Sequence, residues 1–174
     1  MLIDLYEFLQ DDECSKTYPL KLDMREFKTA DASYPIKEYE LKLSFKNEEK
    51  KHISFKGEGY VVLDIPCNRC LTPVEYKINI DYFKDLDMNK TDEERALELD
   101  DEGYLDKTVF DSEVFIYNEI LVNLPMKVLC RTDCKGICNR CGANLNMGSC
   151  KCDKTELDPR MSKILDVFNQ FKEV

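Results

Sequence analysis

"HISFKGEGYVVLDIPCNRCLTPVEYKINIDYF", residues 52–83, decides how this chain is built. Its last part places Val74, Tyr76, Ile78, Ile80 and Tyr82 on one side of an extended chain and polar residues on the other. A period of two is the mark of a strand with one buried face and one solvated face. Its first part, His52 to Ile65, repeats the pattern. Upstream, "YPIKEYELKLSF" (34–45) alternates Tyr39, Leu41, Leu43 and Phe45 against charged residues, and the polar turn "KNEEKK" separates it from His52. Three such strands with short connections predict an antiparallel meander, solvated on one face.

Downstream the period changes. In "DSEVFIYNEILVNLP" (111–125), Phe115, Ile116, Ile120, Leu121 and Leu124 fall at helical spacing; Asp111 or Ser112 can cap the start and Pro125 ends the helix. Its apolar face needs a partner, and the meander offers one. A second helix is expected in "DPRMSKILDVFNQF" (158–171), with Asp158 as cap and Met161, Ile164, Leu165, Phe168 and Phe171 as the buried stripe. The predicted class is α+β: an antiparallel β-meander packed by one or two helices, with a C-terminal Cys-rich, zinc-binding segment. The predicted organisation is a β-rich core over residues 1–126, with an acidic insert at about 85–106, and a tail with the final helix over 127–174.

With 174 residues, the chain suits one ordinary core, or one core plus a small metal-held appendage. It has no run that can span a bilayer, and its start, "MLIDLYEFLQDDEC", lacks a basic n-region, so a cytoplasmic location is expected. In a reducing compartment nine cysteines, an odd count, read as metal ligands rather than disulfides.

The net charge of -10 is unevenly spread. Asp85 to Asp106 holds ten acids and two bases, and is expected to be a solvated, mobile excursion with a helical turn near "TDEERALEL". Lys127 to Lys154 holds six bases and two acids. Two readings of that basic window stand side by side: a nucleic-acid footprint, or compensation for metal sites that are formally dianionic when four thiolates hold Zn2+.

The tetrapeptide "CNRC" occurs twice, at Cys67/Cys70 between the second and third strands, and at Cys138/Cys141. A C-x2-C turn supplies two of the four soft ligands of a tetrahedral zinc, its backbone amides aimed at the sulfurs. Cys150 and Cys152 lie close enough to return to the second knuckle and complete one compact site. Cys130 and Cys134 follow the predicted helix and are free to join Cys67 and Cys70, which would staple the sheet to the tail. Crossed pairings, a single site with spare cysteines, and iron in place of zinc all stay open on spacing alone. Cys14 reads as an ordinary thiol.

A catalytic zinc keeps an open position and usually recruits His or Glu. His52, the one histidine, reads as a surface residue of its strand, and no H-x-E element, phosphate-cradling glycine loop or nucleophile elbow is present. No enzyme, and no small-molecule substrate, is expected.

The order of "CNRCL" (67–71), "LP" (124–125), "CKGICNRCGANLN" (134–146), "CKC" (150–152) and "DPR" (158–160) resembles the YceD-like family, the large ribosomal RNA subunit accumulation proteins. Two departures, Ile137 where leucine is common and the acidic insert, leave the resemblance intact. It implies a small cytoplasmic protein needed for accumulation or processing of large-subunit (23S) ribosomal RNA, without established catalytic chemistry. It also implies a partner in pre-ribosomal RNA or a ribosomal protein of the large subunit. Candidate contacts are the basic residues near the cysteines: Arg69, Arg131, Lys135, Arg140, Lys151 and Arg160. The competing reading is a redox- or metal-sensitive regulatory protein that releases zinc from its cysteine cluster.

Overall fold

The computed structural model describes residues 1–6, 8–11, 14–48, 52–91, 103–152 and 164. Its elements in chain order are β1 (Leu2–Asp4), a single 3-10 turn (Phe8–Gln10), β2 (Ser15–Pro19), β3 (Glu26–Lys28), β4 (Ser33–Asn47), β5 (His52–Pro66), β6 (Pro73–Asp87), β7 (Leu105–Asp106), β8 (Val109–Asp111) and helix α1 (Ser112–Asn123). The chain divides into two compact units, Met1–Cys134 and Lys135–Val174. The fold is mostly antiparallel sheet with one α-helix among the described residues, an α+β arrangement.

The backbone of the first unit is the β4-β5-β6 meander, three strands of 15 residues each. β2 extends it beyond β4, β3 pairs with the start of β4, and β1, β8 and β7 form a small second sheet. Leu41, Leu43 and Phe45 on β4, Ile53, Phe55, Val61, Leu63 and Ile65 on β5, and Ile78 and Ile80 on β6 are all buried. Every one lies on the face that the alternation selects. Burial of each such side chain contributes about 1.5–3 kcal/mol. The opposite face is charged and wet: Lys37 pairs with Asp64 at 3.0 Å, and Tyr60 donates its hydroxyl to Glu38 at 2.7 Å. His52 lies at the exposed start of β5, its Nε2 3.9 Å from Asp87.

α1 starts where expected. The Asp111 carboxylate accepts from the amides of Glu113 and Val114, and the helix ends at Leu124, the residue before Pro125. Phe115, Ile116 and Ile120 are buried. Leu121 is not: it is 46% exposed, because it stands a further 100° round the helix from Ile120, past the packed arc. Phe115 joins an aromatic cluster in which the ring of Phe55 lies 5.2–5.8 Å from those of Phe45, Phe110, Tyr104, Tyr82 and Phe115. The helix can come this close because residue 57 is glycine. A β-carbon there would stand 2.9 Å from the Phe115 ring.

The acidic stretch is not wholly an excursion. Asp85 to Asp87 continue β6 to its end, Leu86 and Met88 pack at the edge of the core, and Tyr104 is 3% exposed just before β7. Alternation persists through the acids, and that is enough to carry the strand on. The turn expected near "TDEERALEL" lies outside the described residues, as does the predicted C-terminal helix apart from Ile164, which is helical. No helix among the described residues is long and apolar enough to cross a membrane.

Candidate metal centres

The first knuckle is the tip of the β5-β6 hairpin. Pro66 pairs with Pro73 as the last rung, and the loop 67–72 is closed by bonds from the Cys67 amide to the Thr72 carbonyl and from the Leu71 amide to the Cys67 carbonyl, both 2.9 Å. Leu71 takes the left-handed conformation (φ 60°) that turns the chain back into β6.

Beyond α1 the chain runs past this tip. The Asn68 amide donates to the Val128 carbonyl at 2.9 Å, and the Val128 amide donates to Asn68 Oδ1 at 2.7 Å. Cys130 and Cys134 thereby arrive beside Cys67 and Cys70. The sulfurs of Cys67 and Cys134 are 3.8 Å apart, those of Cys70 and Cys130 are 3.5 Å apart, and all four lie within 4.8 Å of one another. Thiolates about 2.3 Å from a central ion at tetrahedral angles stand about 3.8 Å from each other. The sulfurs therefore already frame a volume that fits one such ion. None of the four is in a disulfide; Cys67, Cys70 and Cys134 are buried and Cys130 is exposed.

The electrostatics of the quartet also suit a cation. Burial opposes ionisation of Cys67, but the backbone amides of Cys130, Arg69 and Cys70 point at its sulfur and hold its pKa down to about 6. The hydroxyl and amide of Thr72 lower the Cys70 thiol, with Thr72 Oγ1 3.2 Å from its sulfur. Cys130, though exposed as a residue, moves the other way, up to about 12, through its bond to the Cys70 sulfur, through desolvation of its own sulfur among the other three, and through the sulfurs of Cys134 and Cys67. Four thiolates cannot share this volume unless a positive ion shares it with them. A zinc ion held there would be closed off by four protein ligands and would supply structure, not an open coordination position.

The second unit repeats the motif on a smaller frame. The Cys138 amide bonds to the Ala143 carbonyl and the Gly142 amide to the Cys138 carbonyl, both at 2.9 Å, the same two bonds that close the first knuckle. Gly142 sits at φ 70°, where the first knuckle has Leu71. A bridge between Ile137 and Asn144 makes a minimal hairpin, and the Asn146 side chain accepts from the Lys135 amide at 2.8 Å. Asn144 accepts from the Asn146 amide at 2.9 Å and from the Met147 amide at 3.1 Å. The turn returns Cys150 and Cys152 to the knuckle, so that the sulfurs of Cys138, Cys141, Cys150 and Cys152 all lie within 4.8 Å. Backbone amides of Cys141 and Arg140 hold Cys138 down to about 6. Bonding to the Cys141 sulfur, with burial and Cys138 behind it, pushes Cys152 up to about 12. This quartet fits a cation on the same grounds. The two groups do not cross, and Cys14, half-buried against the core, belongs to neither.

The basic candidates are scattered in role. Arg69 donates from Nη1 to the Cys134 carbonyl at 2.8 Å. Arg131 pairs with Asp133 at 3.3 Å. Lys135, Arg140 and Lys151 are exposed in the second unit, and Arg160 lies outside the described residues. Sequence reasoning passes over Asn68 and Thr72, both of which serve the first site directly. The one signal for Asn68 is the recurrence of Asn-Arg between both cysteine pairs.

A small antiparallel-sheet protein with two clusters of four thiols, each shaped for one soft cation, is the class that fold and sites define. The model of the family described as "Large ribosomal RNA subunit accumulation protein YceD" matches residues 55–168, and the chain belongs to that family. It is 29% identical over 136 residues to the Large ribosomal RNA subunit accumulation protein YCED homolog 1, chloroplastic, of Arabidopsis thaliana, an overlap of 63% of this chain and 42% of the relative. Uncharacterized proteins of Mycobacterium tuberculosis and Mycobacterium bovis are each 27% identical over 101 residues, 58% of this chain and 48% of theirs. The chain thus spans about half the length of the curated relatives it matches. No solved structure matches it. The family name points to large-subunit ribosomal RNA accumulation and names no catalysed reaction.

Proposed function

We propose that this chain acts in the cytoplasm as a non-enzymatic ribosome-biogenesis factor, supporting accumulation of large-subunit ribosomal RNA through a zinc-held surface that contacts pre-ribosomal RNA. The observation that carries this reading is the family match over residues 55–168, which takes in both cysteine quartets. Zinc is the ion favoured by four thiolates in a closed, tetrahedral set. Cys67, Cys70, Cys130 and Cys134 would hold one ion, and Cys138, Cys141, Cys150 and Cys152 the other.

The contact to RNA falls to Lys135, Arg140 and Lys151, which are exposed in the second unit. A chain with a net charge of -10 repels phosphate elsewhere, which confines any such contact to this basic segment and makes it steeply salt-dependent. A ribosomal protein of the large subunit is the alternative partner, met by the acidic insert at about 85–106. Depletion of the protein followed by a profile of ribosomal particles tests the function: a selective shortage of large subunits is expected, and normal particles would overturn it. Recovery of ribosomal protein after nuclease treatment in a pull-down, with loss of RNA having no effect, would move the contact from RNA to protein.

A further inference from the structure

Two residues separate the cysteines of the first knuckle, and both reach across the fold. Asn68 exchanges two hydrogen bonds with the backbone of Val128, 60 residues away, at 2.9 and 2.7 Å. Arg69 sends Nη1 to the carbonyl of Cys134, 65 residues away, at 2.8 Å. Val128 is buried two residues before Cys130, and Cys134 contributes a sulfur itself, so these bonds grip the incoming segment on both sides of its cysteine pair.

We infer that Asn68 and Arg69 are positioning residues that assemble the first quartet ahead of the metal. The inference deepens the metal reading of that quartet and rests on it. Four like-charged ligands drawn from two stretches 60 residues apart have no local reason to stay together. Bonds to Val128 and Cys134 supply that reason without occupying a sulfur lone pair, so every thiolate stays available to the ion. Arg69 also sets a permanent cation one peptide unit from a centre that is formally dianionic when four thiolates hold Zn2+. Its guanidinium N–H is directed at a carbonyl in a fixed plane, which a lysine ammonium reproduces in charge but not in direction. That bond takes one of the guanidinium's five N–H donors, and Arg69 itself is exposed.

The test is zinc release from the full-length protein into excess chelator. The kinetic phase that disappears in Cys67→Ser belongs to the first quartet. Arg69→Met and Asn68→Ala should each accelerate that phase about tenfold or more, the range usual for groups that orient metal ligands, with Arg69→Lys in between. The phase belonging to Cys138 should not change, nor should RNA retention at any salt concentration. A first-quartet phase in Arg69→Met within twofold of the parent would overturn the inference, as would loss of RNA retention at unchanged zinc release. If Arg69→Met does not fold, Asn68→Ala decides on the same reading. A parent protein with no phase sensitive to Cys67→Ser would instead overturn the metal reading, and this inference with it.

Discussion

The two "CNRC" knuckles share sequence and turn geometry yet stand on very different supports. Cys67 to Thr72 and Cys138 to Ala143 close with the same pair of 2.9 Å backbone bonds, and each turns back through a left-handed residue. The first knuckle caps two strands paired over their full 15 residues, and Leu63 and Ile65 are buried in the strand that leads into it. The second stands on one isolated bridge, and no side chain among residues 135–152 is in the buried core. Local sequence therefore writes the turn, and the surroundings decide whether the turn survives alone. Closing a loop of 60 residues costs about 1.4 kcal/mol more than closing one of about 12. In the first unit the sheet and helix meet that cost before any ion binds, whereas residues 135–152 have one bridge, a few turn bonds and their ligands.

The largest expected effect breaks the comparison open. Removing metal with a strong chelator should abolish amide protection across Lys135–Cys152 while leaving β4, β5 and β6 protected in hydrogen exchange. Equal protection of both segments after metal removal would show that the second knuckle is self-supporting.

Single ligand changes come next. Cys67→Ser puts a hydroxyl in a buried position and unties the hairpin tip, so chemical denaturation of the sheet should shift by about 1–3 kcal/mol. Cys138→Ser should leave the same transition within about 0.5 kcal/mol.

Acid should act on both sites in the same direction. Thiols held at about 6, Cys67 and Cys138, remain available to metal until the pH falls through that value, and those pushed up to about 12, Cys130 and Cys152, must surrender a proton to the ion at neutral pH. Affinity for zinc should therefore fall as pH is lowered from 8 toward 6. Each zinc should release fewer than four protons at pH 7, measured by calorimetry in buffers of different ionisation enthalpy. Proton release that does not vary with pH would contradict the assignment.

The smallest effect tests one of the two positions at which the knuckles differ, Leu71 against Gly142, the other being Thr72 against Ala143. Leucine at φ 60° carries a left-handed strain of about 1–2 kcal/mol, partly offset in a glycine variant by chain entropy. Leu71→Gly should stabilise the first unit by about 0.5–1 kcal/mol, and Gly142→Leu should weaken zinc binding at the second by about tenfold. Swapped signs in the two variants would mean that the shared turn is not what holds either knuckle.

The long elements were legible because periodicity survives in them. Alternation over β4, β5 and β6 and the spacing of Phe115, Ile116 and Ile120 needed only local reading. β1, β2, β3, β7 and β8 run from two to five residues, too short for a pattern, and they exist because distant strands offer them a partner: Ile3 opposite Phe110, Phe27 opposite Tyr34. Leu121 reads as core on spacing and is exposed, since a helix face is only as wide as what it packs against. At the sites, paired cysteines announced themselves by spacing. Asn68 and Thr72 did not, and Arg69 read as a contact to RNA or protein, because a polar residue in a turn looks the same whether it meets only water or also grips a chain 60 residues away.

Taken alone, the residues determined the meander, the capped helix, and two turns able to present pairs of sulfurs, all of which depend on neighbours within a few positions. Tertiary structure decided which distant cysteines complete each quartet, and that Asn68 and Arg69 bind the returning segment. It decided them because closure of the β5-β6 hairpin and packing of α1 over Gly57 deliver Val128 to Cys134 to the hairpin tip, a meeting that no local pattern encodes.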